Sequence, residues 1–150
     1  LLCIMYCVFF VVHQQFNMPG FYLFIQDLII IGFSEEYLYR GVMYSIMKKE
    51  NTALAIVLSS LFRGITHAVY PTVVVGGDLS VFLTDCISNI GFGLFIGYGF
   101  IYVFEESKTL WIPILLHAVY DYSMGYGWII FVGTVMYLYI VNKGGHTRQK

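Results

Sequence analysis

Charged residues are scarce in this 150-residue chain: Asp, Glu, Lys and Arg together make up 11% of it, and the formal net charge is −1. Its eight Lys and Arg are too few and too scattered to form the basic stripe that neutralises phosphates, which excludes a nucleic-acid partner. Cysteine is also rare. Cys3, Cys7 and Cys86 all sit within apolar runs, with neither metal-ligand nor disulfide-framework spacing, and read as small core hydrophobes. No His-Glu-x-x-His sequence is present, so the usual local signature of a zinc protease is missing. Residues 1–12 carry no basic leading region and no small-residue cleavage site, which argues against a signal peptide. The chain opens on Leu1 inside a hydrophobic stretch, and the expectation is that this stretch is the remainder of a truncated first membrane helix.

What is abundant is apolar surface. Hydrophobic residues make up 59% of the chain and the mean hydropathy is +0.75, more than a soluble core can hide. A chain of this length supplies about six spans of roughly 20 residues if the connections are short. Apolar runs at 1–12, 21–47, 52–70, 79–104, 110–122 and 128–141 alternate with breaks at 13–20, 48–51, 71–78, 105–109 and 123–127. The pattern predicts an all-α protein: one membrane-embedded domain over 1–150, a polytopic bundle of about six transmembrane helices around an intramembrane polar cavity. Lys48, Lys49, Lys108, Lys143, Arg148 and Lys150 fall on alternate connections and the tail, which places those connections and the C-terminus on the cytoplasmic side. Gly93 and Gly97 have the small-xxx-small spacing that lets membrane helices approach closely, and no strand precedes them as a nucleotide loop would require. The 13 Tyr and 13 Phe, with Trp111 and Trp128 near segment ends, fit interfacial belts and packing.

Against that background the ionisable residues within the apolar runs stand out, because each is costly at membrane depth. They are Asp27, Glu35, Glu36, Arg40, Arg63, His67, Asp85, His117 and Asp121. Glu36 and Arg40 are four apart and share a helical face as an ion pair, while Glu35 points about 100° away. Arg63 and His67 are four apart, as are His117 and Asp121, so each pair presents two polar heads on one side of its helix. Polar pairs of this kind also glue membrane helices together, and for Glu36 and Arg40 that structural reading stands beside a chemical one. Asp27 lies two turns before Glu35 and lines the same wet cavity, Asp85 is placed to bond Asn89, and His13 and His146 fall in connection or tail sequence as solvated groups.

The order of the clusters, Glu-Glu-x-x-x-Arg, then a histidine at 67, then His-x-x-x-Asp, resembles the CAAX-protease and bacteriocin-processing family, also called the Abi family. The likeness runs from about Phe33 to Tyr122 and includes Ser34 before the glutamates, Ser59-Ser60 ahead of His67, and Thr109-Leu110-Trp111 with Pro113 ahead of His117. Two departures are plain. Arg63 stands where many members have an aromatic four residues before the second-motif histidine, and Asp121 replaces the asparagine of the CAAX endopeptidases.

The resemblance implies an intramembrane endopeptidase in which Glu35 takes a proton from water, His67 helps hold that water, and His117 and Asp121 stabilise the oxyanion. Glu36 and Arg40 serve as a structural pair, and Arg63 neutralises an acid or meets a substrate carboxylate. It implies no cofactor, a peptide or protein substrate such as a prenylated C-terminus or a leader peptide, and a setting in membrane lipid. Other readings stay open: a zinc-dependent membrane protease using Glu35, His67 and His117, a non-enzymatic bacteriocin-immunity or scaffold protein, and a proton-coupled transporter.

Overall fold

In a computed structural model, which describes residues 1–14, 16–123 and 125–147, six helices account for the regular structure of the described residues. Here α1 is Leu2–His13, α2 runs over 18–47, α3 is Thr52–Val75, α4 is Leu79–Ser107, α5 is Trp111–Tyr122 and α6 is Gly127–Thr147. The all-helical expectation holds segment by segment. Arg148 and Lys150 of the basic tail and the His146 side chain lie outside the described residues.

Two boundaries differ from the sequence pattern, and local chemistry explains both. Pro19-Gly20 starts α2 instead of breaking the chain before it. The Asn17 side chain accepts from the Gly20 amide at 2.9 Å, and Pro19 occupies a first-turn position where its missing N–H would have had no partner. At its other end, α3 runs past position 71 to Val75 and stops only at Gly76, whose φ of 79° is the left-handed conformation that glycine adopts without strain. The Thr72 hydroxyl donates to the Ala68 carbonyl at 2.9 Å on that turn, a bond from side chain back to the helix.

The helices at Thr52–Val74 and Leu79–Ser107 are each long and apolar enough to cross a membrane. Their outward side chains are apolar as well: Val73, Leu79, Ile87 and Phe95 are exposed, as are Ile129, Tyr137 and Ile140 on α6. Within α2, two π-helical stretches, Gln26–Phe33 and Tyr37–Tyr44, flank the single α-helical turn Ser34–Glu36. A π-helix bonds i to i+5 and shifts the rotational phase of the residues after it, and such segments occur frequently at functional sites.

The chain divides into two compact units, Leu1–Leu38 with Tyr102–Lys150, and Tyr39–Ile101. In the first, α5 packs against α1, against the first π-helical stretch of α2 and against α6. Its core gathers Tyr6, Ala118, Val119 and Tyr122, with Phe24 and Leu28 against them. In the second, α3 and α4 approach closely through small residues on both sides. A Cβ on Gly93 would come within 3.3 Å of the Gly64 Cα, and one on Gly97 within 2.7 Å of the Ser60 Cβ. The small-xxx-small spacing of α4 thus faces Ser60 and Gly64, also four apart, on α3. Of these three glycines Gly64 is the tightest against backbone, since a Cβ there would lie 2.8 Å from the Asn89 carbonyl oxygen and 2.9 Å from the Ile90 Cα. Gly64→Ala is expected to push the two helices apart and lower stability by about 1–3 kcal/mol, read as a drop in thermal unfolding temperature in detergent. An unchanged melting temperature would show that this contact is not tight.

Candidate functional site

The site of the first unit is built around His117, in the middle of α5 and 1% exposed. Its ring has a carboxylate on each side. Nδ1 lies 2.7 Å from Glu36 Oε1, and Nε2 lies 3.3 Å from Asp121 Oδ2 and 3.8 Å from Glu35 Oε2. An ionised carboxylate only accepts, so Nδ1 carries a hydrogen and donates it to Glu36, which fixes the plane and tautomer of the ring. Nε2 then faces two carboxylates, an arrangement that is stable only if the ring carries a second proton or one of the two acids is protonated.

Accessibility separates the two sides of the ring. The Glu36 side chain is 0% exposed, whereas those of Glu35 and Asp121 are 22% and 34% exposed. Glu36 therefore anchors the ring from behind, and reactants approach from the Nε2 side. Asp121 reaches Nε2 from one turn further along the same helix, and Glu35 and Glu36 come from the short α-helical turn of α2. Asp27 is half-buried on the first π-helical stretch of α2.

Of the seven residues expected at the site, the first unit brings together Glu35, Glu36, His117 and Asp121. Arg40, Arg63 and His67 belong to the second unit. There Arg40 is buried with its guanidinium 5.1 Å from the centroid of the Phe100 ring, Arg63 is 6% exposed, and His67 is half-buried one turn after it on α3. Beside them the Tyr39 and Thr66 hydroxyls are 2.5 Å apart. Asn89 donates to the Asp85 backbone carbonyl at 2.8 Å, so that pair is a helix-internal bond through main chain.

Two residues carry more than the sequence suggested. Glu36, assigned to Arg40 by spacing, also meets His117; the signal was its place beside Glu35, but the side of the ring that each of the two glutamates takes depends on the helix phase that the π-helical stretches alter. His13, expected in solvent, instead has its Nε2 buried and its ring stacked on Tyr122, because the end of α1 packs on α5. As to metals, among the described residues no group of three or more His, Cys, Asp or Glu is arranged to hold an ion.

Comparison with families of known proteins finds one whose description is "Type II CAAX prenyl endopeptidase Rce1-like", matching residues 16–123. That match begins upstream of the motif-bearing stretch and ends just beyond Asp121. Neither the curated proteins nor the solved structures include a match to this chain.

Proposed function

Since the chain belongs to the Rce1-like type II CAAX prenyl endopeptidase family, and is thus a membrane protease acting on peptides or proteins, we propose that it cuts its substrate with a water activated by Glu35. The observation that carries this reading is the His117 ring, held from behind by Glu36 and facing Glu35 and Asp121 on its accessible side. Glu35 takes a proton from water as the water oxygen bonds to the scissile carbonyl carbon. The carbonyl oxygen becomes an oxyanion, which needs donors. Nε2–H of His117 is one, and a protonated Asp121 is the other. Collapse of the intermediate breaks the C–N bond, and Glu35 returns its proton to the leaving amine, giving one new carboxyl and one new amino terminus.

In this reading His67 helps hold the water, Arg63 neutralises an acid or meets a substrate carboxylate, and Arg40 balances Glu36 as their i,i+4 spacing favours. The chain crosses the membrane several times, with its basic connections and C-terminus in the cytoplasm. The substrate is a peptide presented at the membrane, a prenylated C-terminus or a leader peptide, and no cofactor takes part.

The role of Asp121 has its own test. Asp121→Asn keeps a donor and is expected to stay within about tenfold of the parent kcat, whereas Asp121→Ala loses the donor and roughly 10²-fold or more. If Asn is as damaging as Ala, Asp121 acts as a base or ligand and not as a donor.

A second reading rests on the same geometry. A carboxylate on one ring nitrogen with the other turned to an open site is also how a metal-bound histidine is oriented, so a zinc site using Glu35, His67 and His117 is the alternative. Under metal-free chemistry a strong chelator leaves cleavage unchanged; loss of activity restored by added zinc would replace the first reading with the second.

A further inference from the structure

The first unit contains a second set of polar atoms that hydrolysis at His117 does not use. His13 ends α1 and Tyr122 ends α5, and their rings stack with centroids 4.3 Å apart and 12° between planes. Tyr122 is 4% exposed. Its hydroxyl oxygen and the His13 Nε2 are both buried, and among the described residues neither has a hydrogen-bond partner. Phe10 and Phe24 pack around them, so each atom sits in apolar surroundings where an unmade hydrogen bond is costly. The fold satisfies a buried phenol nearby when packing alone is required: Tyr6, 5.3 Å from Tyr122 ring to ring, donates its hydroxyl to the Phe24 carbonyl.

The set is continuous with the site. Tyr122 directly follows Asp121 on α5, and α1, which carries His13, packs against α5. Two buried polar atoms on adjacent stacked rings offer two of the two to four bonds that an internal water makes. Each peptide bond cut consumes a water.

We propose that the Tyr122 hydroxyl and His13 Nε2 bind an internal water and form an entry by which water reaches the hydrolytic site. The inference rests on the hydrolytic reading above. Tyr122 and His13 are then positioning residues that act through the water and never touch the peptide.

The test has one arm that does not depend on activity. X-ray hydroxyl-radical footprinting of the unsubstituted protein in lipid nanodiscs generates radicals from bound water, which oxidise the side chains it touches. Tyr122 is expected to be oxidised several-fold faster than Tyr6, a residue of the same type and similar burial. Equal, slow rates at both overturn the proposal whether or not the protein cleaves peptides. The second arm is kinetic. Tyr122→Phe keeps the ring and its stacking, and is expected to lower kcat about five- to tenfold, the worth of one hydrogen bond, with KM and melting temperature unchanged. His13→Phe is expected to do the same, and the double variant to lose no more than either alone, because one water is shared. A Tyr122→Phe enzyme with parental kcat removes the entry while leaving the protease reading standing. Inactivity of the parent on all membrane peptides removes the protease reading, and footprinting still decides whether the water is there.

Discussion

Glu35→Gln is expected to abolish most peptide cleavage, lowering kcat on the order of 10²-fold or more, while the protein folds and melts as the parent does. The side chain keeps its size and an acceptor oxygen, so packing near the His117 Nε2, 3.8 Å away, changes little. What is lost is the capacity to take a proton from water. Partial exposure of Glu35 also makes the swap mild for folding, since a 22% exposed side chain retains contact with its surroundings in either form. Steady-state cleavage of a membrane peptide by purified variant and parent, alongside their melting curves, reads both quantities. Parental rates in the glutamine variant would remove Glu35 as the base and favour a scaffold or immunity protein.

The largest effect on stability is expected at Glu36. Its carboxylate is fully buried and bonded to an equally buried ring at 2.7 Å. Glu36→Ala leaves His117 Nδ1 without an acceptor and opens a void behind it, and breaking a buried pair in this way costs about 3–5 kcal/mol. That is a large share of an ordinary domain's stability, so loss of folded protein is the expected outcome. Glu36→Gln separates packing from chemistry. The amide fills the same volume but carries no charge, so it no longer supports the doubly protonated ring in which Nδ1–H is held from behind while Nε2–H serves as oxyanion donor. The variant is expected to fold and to lose roughly 10²-fold or more in kcat, the penalty of a lost oxyanion donor. A Glu36→Gln protein with full activity would show that the Glu36 bond does not set the state of the ring.

Legibility in the sequence varied with what each element needs. Apolar runs bounded by polar breaks marked all six helices of the described residues, because an apolar run is a local property of the sequence and needs no partner to be read. The close approach of α3 and α4 was legible from Gly93 and Gly97 for the same local reason, although their counterparts Ser60 and Gly64 were not matched to them. Proline misled at both positions where it was read as a break: Pro19 is tolerated in the first turn of α2, and α3 continues past position 71. The His117 and Asp121 contact was legible because it lies within one helix at i,i+4. Glu36 against His117 was not. It joins residues 81 apart, and the direction of Glu36 depends on π-helical phase that no periodicity of 3.6 reveals. His13 was missed for a related reason, as a residue at the end of an apolar run looks solvated until the helix it faces is known.

Hydrolysis of an internal peptide bond by a Glu35-activated water is read most directly from cleavage of a membrane-presented peptide by purified protein in ¹⁸O-labelled water. Mass spectrometry then reads the products. The Glu35 mechanism predicts one internal cut whose new carboxyl terminus carries a single solvent oxygen, produced by the parent and not by Glu35→Gln. Absence of any cut across prenylated and leader peptides, or a labelled product made equally fast by Glu35→Gln, would contradict it.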